Sequence, residues 1–171
     1  MDELSSAIRD IPNFPKEGII FKDITTLLEK GDLFKKAVDE MARPYENKGI
    51  TKVVGVESRG FIFAAAIAYK MGIGLVIVRK PGKLPHKVRQ ETYDLEYGTD
   101  TLEVHEGHLT KDDKVLLVDD LLATGGTTEA TCKLINHFGS TIVGISFLIE
   151  LAFLNGIEKL KGNKVTSLIK Y

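Results

Sequence analysis

Asp119 and Asp120 stand side by side after the apolar run Val115-Leu-Leu-Val118, and behind them comes Leu121-Leu122-Ala123-Thr124-Gly125-Gly126-Thr127-Thr128. Each part of this segment suits a definite chemistry. The residues Ala123, Thr124, Gly125, Gly126 and Thr127 lack bulk, so backbone N–H groups there can approach a phosphate closely. The start of a following helix adds free donors and a positive dipole end. Threonine hydroxyls add further donors. The two carboxylates repel phosphate, and they suit sugar hydroxyls or a hydrated divalent cation. A phosphate seat beside a sugar or metal seat describes a phosphorylated ribose. Competing phosphate motifs fail: Gly55 and Gly60 have P-loop spacing, but Phe61 stands where lysine is required. The chain also lacks a G-x-G-x-x-G after a strand and a G-x-S-x-G elbow.

The elements that must position these residues are short. Lys52–Val56, Leu75–Val78, Val115–Val118 and Thr141–Ile149 read as buried strands, and Phe61–Met71 and about Thr127–Phe138 read as helices. The second helix places Thr131, Leu134, Ile135 and Phe138 on one face, with Gly139 as its C-cap. Continuous apolar strands separated by helices predict an α/β fold with a mostly parallel sheet covered on both faces. Asp32 is positioned to cap a helix carrying Leu33, Phe34, Ala37, Val38 and Met41, which Pro44 should end. Lys80–Glu91 is rich in Lys, Arg, Pro and Gly. After it, Tyr93–Tyr97, Gly98 and Thr101–His105 read as a β-hairpin that departs from the sheet and can close over a ligand.

The bulk properties narrow the class. The chain has 171 residues, 43% hydrophobic and 27% charged, which suits one domain with a sizeable core. A net charge of −1 gives no basic field for nucleic acid or a membrane surface. One cysteine, Cys132, excludes an intrachain disulfide. Met1–Asp10 is charged and lacks the apolar core of a secretory signal, and Phe61–Tyr69, the longest apolar run, is too short to span a bilayer. The expected compartment is the cytoplasm. His105 and His108 lack further zinc-type spacing and read as part of a solvated ribbon.

The Leu117–Thr127 segment resembles the phosphoribosyl-diphosphate loop of type I phosphoribosyltransferases. Phe14–Ile24, Glu57-Ser-Arg-Gly-Phe61, Arg79-Lys-Pro-Gly-Lys-Leu-Pro85 and Leu95-Glu-Tyr-Gly98 narrow the resemblance to members of that family acting on adenine. It runs from about residue 12 onward. It implies a mostly parallel twisted sheet flanked by helices, a β-ribbon lid over about 80–105 and a small N-terminal hood over about 1–30. It also implies transfer of the 5-phosphoribosyl group from phosphoribosyl diphosphate to adenine, giving AMP and pyrophosphate, with Mg²⁺ as cofactor and a homodimer as the assembly.

The same resemblance implies residue roles. Ala123–Thr127 would hold the 5′-phosphate. Asp119 and Asp120 would hold the ribose hydroxyls, directly or through Mg²⁺. Glu57, Ser58 and Arg59, with a cis Glu57–Ser58 peptide, would bind pyrophosphate, joined by Arg79, Lys80 and Lys83. Arg59 is also counted among the catalytic residues. Ile20, Phe21, Lys22 and Leu121 would surround adenine, with the backbone of Ile20 and Lys22 reading its edge. Glu96 would manage the purine N7 proton and Tyr97 would help close the lid. Asp is common in this family where the chain has Glu57. His86–Glu91 receives no role. The alternatives are a phosphoribosyltransferase for another base, a non-catalytic donor-binding regulator, and a synthetase-like subunit.

Overall fold

A computed structural model describes residues 2–94 and 98–171. In chain order the elements are α1 (Asp2–Ser6), β1 (Arg9–Pro12), β2 (Ile20–Asp23), α2 (Thr25–Leu28), α3 (Gly31–Ala42), β3 (Lys52–Val56), α4 (Gly60–Met71) and β4 (Gly74–Val78). Then follow β5 (Val88–Asp94), β6 (Thr99–His105), β7 (Lys114–Leu122), α5 (Gly126–His137), β8 (Thr141–Glu150) and β9 (Val165–Lys170). A five-stranded sheet has the order β4-β3-β7-β8-β9, and every pairing in it is parallel. β1 pairs with β2, and β5 with β6, as separate antiparallel ribbons.

Alternation along the strands explains why both sheet faces are covered. Val53, Leu116 and Val118 point into one core with α3 and α4, through Ala37, Met41, Phe63 and Ile67. Val54, Val56, Val115 and Leu117 point into a second core with Ala130, Leu134 and Ile135 of α5. The second core also takes Tyr93, Leu102 and Val104 from the β5–β6 ribbon. That ribbon is therefore docked on the sheet layer. Two backbone hydrogen bonds between Arg79 and Glu103, 2.9 and 2.8 Å, join it to the chain leaving β4.

Several sequence expectations need correction. β7 does not stop at Val118 but runs through Asp119 and Asp120 to Leu122, because β8 continues to pair with it up to Leu122↔Glu150. Asp32 does not cap α3. The extended residue is Lys30, so Asp32 falls in the first turn, where its charge meets the positive helix end. The ribbon begins at Val88 rather than Tyr93, because Val88–Glu91 pair with Leu102–His105. α4 ends as expected at Gly72, which is left-handed, and α3 ends before Pro44.

The N-terminal ribbon is tied down by Asp23. Its Oδ1 accepts from the Thr25 amide (2.9 Å) and hydroxyl (2.7 Å), and its Oδ2 accepts from Arg9 (3.1 and 2.6 Å). These bonds, the Thr25 hydroxyl foremost and the Arg9 guanidinium next, lower its pKa from 3.8 to about 2. A lowered carboxylate pKa means stability that is present above 3.8 and lost as pH falls toward 2. Asp23→Asn is expected to cost about 1 kcal/mol at neutral pH. In thermal melts its deficit against the parent should close between pH 4 and pH 2, and an unchanged deficit at pH 2 would contradict this account.

Candidate active site

The site forms where β3 and β7, neighbours in the sheet, deliver their C-terminal ends. In parallel sheets this edge is where ligands bind, since helix N-termini and loop amides converge there. After β7 the chain turns through Ala123, Thr124 and Gly125 and enters α5 at Gly126. Gly125 has φ +81°, and a Cβ there would lie 2.4 Å from the Gly156 carbonyl oxygen. Gly156 is tighter still: a Cβ on it would meet the Ala123 carbonyl oxygen at 2.1 Å. The loop is thus moulded against a second backbone segment, and its polar edge faces outward through the exposed Thr124 and half-buried Thr127.

Asp119 and Asp120 lie beside this loop, within β7. Burial raises the Asp119 pKa well above 3.8, and the neighbouring Asp120 charge raises it further. Burial also raises Asp120, against the opposing Arg59 guanidinium. The two together are short of cations. Arg59 Nη2 lies 2.7 Å from Asp120 Oδ2, as an ion contact, yet that oxygen accepts no aligned hydrogen bond. A buried carboxylate oxygen without a hydrogen-bond donor is a place for a hydroxyl or a hydrated cation. Among the described residues no group of three or more His, Cys, Asp or Glu forms a metal cage. Any divalent ion here would need ligand oxygens as well. α4 approaches closely because its first residue is glycine; a Cβ on Gly60 would sit 2.5 Å from Asp119 Oδ1.

The Glu57–Ser58 peptide is cis, as the resemblance implies. The Glu57 side chain turns toward β4. It accepts from Arg79 (3.2 and 3.1 Å) and from the Lys80 amide (2.9 Å). Burial pushes the Glu57 carboxyl up, but these donors outweigh it and hold it below the usual range. Arg79 is therefore anchored, and Lys80 pairs with Asp100. Ser58 and Lys83 are exposed. Arg59 reaches the N-terminal ribbon: Nη1 donates to the Lys22 carbonyl (3.3 Å) and the guanidinium lies 4.9 Å from the Phe21 ring centre.

A cavity of about 560 Å³ lies beside Thr124. Ile20 and Lys22 line it, with Leu151, Phe153, Leu154 and Tyr171. Of the residues expected around the base, Ile20 and Lys22 face it, whereas Phe21 packs on Phe14 (5.2 Å between centroids) and Arg59. Leu121 is half-buried against the core and is not among the lining residues. Lys22 is 9% exposed, bonds Asp10 at 2.7 Å and stands 3.6 Å over the Tyr171 ring. Glu96 and Tyr97 lie outside the described residues. Gly156, Leu151 and Tyr171 were missed by sequence reading, because their importance comes from segments distant in the chain.

Residues 25–165 match the phosphoribosyl transferase domain model. That class accounts for a parallel sheet with an acidic pair and a small-residue loop at its C-terminal edge. The adenine phosphoribosyltransferase of Geotalea uraniireducens is 55% identical over 171 residues, covering 100% of both chains. The crystal structure of the Thermoanaerobacter pseudethanolicus adenine phosphoribosyltransferase superposes with a TM-score of 0.96 at 46% identity, over 99% of each chain. The Saccharomyces cerevisiae enzyme, solved with an imino-altritol bisphosphate and adenine, gives 0.92 at 37% identity, over 98% of this chain and 97% of that one. The chain belongs to the adenine phosphoribosyltransferase family.

Gly156→Ala should push the Ala123–Gly125 turn outward, since the blocking atom is backbone and cannot rotate away. Affinity for a phosphorylated sugar, measured by calorimetry, is expected to fall by about tenfold or more, because displacements of about 1 Å at a site carry costs of this order or larger. Parent-like affinity would show that Gly156 does not mould the loop.

Proposed function

We propose that the protein transfers the 5-phosphoribosyl group from 5-phospho-α-D-ribose 1-diphosphate to N9 of adenine, giving AMP and pyrophosphate. The observation that carries the reading is the junction of β7 and α5. A buried carboxylate, Asp120, and a half-buried one, Asp119, both with raised pKa values, stand next to a glycine-backed turn and a helix N-terminus. That juxtaposition suits a ribose ring on the carboxylates and its 5′-phosphate on the amides. The 55% identity over the whole length to a relative named adenine phosphoribosyltransferase supports adenine as the base. The cavity of about 560 Å³ beside Thr124 is roomy enough for a purine, and Ile20 and Lys22 on its wall support edge readout by the β2 backbone.

In this reading Ala123–Thr127 seat the 5′-phosphate and Asp119 and Asp120 hold the ribose hydroxyls. Mg²⁺, held by substrate oxygens with Asp119 and Asp120, would neutralise charge on the departing pyrophosphate. The protein's own part is positioning. Ser58 and the backbone of the cis loop, with Arg59, Arg79, Lys80 and Lys83, receive the pyrophosphate. Arg59 must leave Asp120 to do so, which frees that carboxylate for the sugar as the guanidinium moves to phosphate oxygens. Glu57 acts through Arg79 and Lys80, which it holds in place. The C1′–O bond to pyrophosphate breaks as the N9–C1′ bond forms, and Glu96 manages the N7 proton. The segment from about 80 to 105 closes as a lid that excludes water, with Tyr97 helping, and residues from about 1 to 30 form a hood over the base. The whole chain acts as one catalytic domain.

The enzyme works as a homodimer. Ile62 (39% exposed), Tyr69 (91%) and Leu75 (40%) leave α4 and the adjoining β4 with an apolar outer surface, which supports a partner there. The single cysteine suits a reducing compartment, and the cytoplasm is its proposed location.

The test is an assay with labelled adenine, donor and Mg²⁺. AMP is the expected product for the parent, none for Asp119→Asn with Asp120→Asn, and a kcat lowered at least a hundredfold for Glu96→Ala with near-normal donor affinity, the usual scale for lost proton transfer. No AMP from the parent would overturn the function, and an unchanged kcat in Glu96→Ala would remove Glu96 from it.

A further inference from the structure

Lys22 is gripped at both of its ends, and the two grips come from different places. Its carbonyl accepts from Arg59 Nη1 at 3.3 Å. Its side chain is 9% exposed, and the ammonium sits between Asp10 Oδ1, at 2.7 Å, and the Tyr171 ring, whose centroid is 3.6 Å away. Asp10 is the residue directly across from Lys22 in the β1–β2 ribbon, so that bond fixes the lysine within the ribbon alone. Tyr171 belongs to the sheet. Its amide donates to the Glu150 carbonyl (3.0 Å) and its carbonyl accepts from the Ala152 amide (2.8 Å), which carries the β8–β9 pairing one residue past β9. The half-buried ring packs on the core shared with α3 and α4, and it lines the cavity beside Thr124 together with Ile20 and Lys22.

We infer that Tyr171 is a positioning residue for the proposed base site, its ring holding the Lys22 ammonium and, through it, the β2 backbone against the cavity. The inference rests on the adenine reading given above. An ammonium almost out of water needs compensation, and a ring face supplies more of it there than at an exposed site. The ring is set by backbone pairing at the end of the sheet, so its place does not depend on the ribbon. Residues two apart in a strand point to one side, so fixing the Lys22 side chain also fixes the side on which Ile20 meets the cavity. Arg59 and Tyr171 differ in what a ligand does to them. In the proposed reaction the guanidinium moves to pyrophosphate and gives up the Lys22 carbonyl. The uncharged ring has no such competitor. Tyr171 is thus the anchor that remains on Lys22 at the moment the base is read.

Tyr171→Leu removes the ring and keeps an apolar side chain and the backbone bonds. Tyr171→Phe keeps the ring and loses a hydroxyl that lies 3.5 Å from Ser5 Oγ, outside the usual range for such a bond. Melting temperatures check that both variants fold. Loss of a nearly desolvated cation–ring contact predicts an adenine KM raised roughly tenfold in Tyr171→Leu, with the donor KM within about twofold of the parent. Tyr171→Phe should bring the adenine KM back to within about twofold of the parent, since a phenyl face also holds a cation. Lys22→Met alone should raise the adenine KM to a similar extent as Tyr171→Leu, and on that background Tyr171→Leu should add less than about twofold. A reading free of turnover comes from amide hydrogen exchange. Ile20–Asp23 should exchange faster in Tyr171→Leu than in the parent, and at the parent rate in Tyr171→Phe. A parent-like adenine KM in Tyr171→Leu, the full penalty persisting on Lys22→Met, an equal rise in the donor KM, or unchanged exchange in β2 would each overturn the role of Tyr171. Failure of the parent protein itself to make AMP from adenine would instead overturn the adenine reading, and the inference with it.

Discussion

The constraint on which the rest depends is the withdrawal from water of two adjacent carboxylates, Asp120 buried and Asp119 half-buried. Carboxylates taken out of water lose several kcal/mol of solvation each, and two side by side repel as well. Asp119 and Asp120 nevertheless occupy the interior end of β7, with pKa values raised by burial and a single guanidinium, Arg59, in contact with one of them. Such an arrangement is poorly satisfied by the protein alone. It becomes well satisfied when hydroxyls or a cation arrive, so the folding cost is held ready for ligand. The five parallel strands, the two covering helix layers and the glycine contacts serve to hold that pair against a turn and a helix N-terminus.

Arg59 links this pair to the rest of the site. It touches Asp120, the Lys22 carbonyl and the Phe21 ring at once. The N-terminal ribbon, the loop after β3 and the end of β7 are thereby held by one side chain. In the proposed reaction the same guanidinium is needed by pyrophosphate, so arrival of the donor must loosen its hold on the ribbon that covers the base. The ribbon keeps Asp23 on Thr25 and Lys22 over the Tyr171 ring, while Asp23–Arg9 and Lys22–Asp10 hold its two strands to each other.

Much of this was legible from residues alone. β3 reads clearly because a strand buried on both faces is a run of apolar residues, and β4 keeps the same Leu-Val-Ile-Val signature at the sheet edge. α4 and α5 read clearly because each ends at a glycine with positive φ, Gly72 and Gly139. The acidic pair and its small-residue loop could be picked out before any geometry, and the structure brings them together at the β7–α5 junction. What stayed hidden depended on partners far away in the chain. That β7 continues through two aspartates is decided by pairing with β8, and no local window contains it. Gly156 looks like an ordinary loop glycine until its approach to Ala123 is seen. Glu57 reads as a ligand group, yet its side chain is spent on Arg79 and Lys80. Phe21 is expected beside the base, and that its ring packs on Arg59 and Phe14 is not readable from its own segment.

The most direct measurement is a crystal structure of the protein with 5-phospho-α-D-ribose 1-diphosphate and Mg²⁺. The account predicts the 5′-phosphate within hydrogen-bond distance, about 3 Å, of the amides between Thr124 and Thr127. It also predicts the ribose hydroxyls on Asp119 and Asp120, and Arg59 drawn off Asp120 toward the diphosphate. A sugar phosphate bound away from that turn, with the Arg59–Asp120 contact intact, would contradict it.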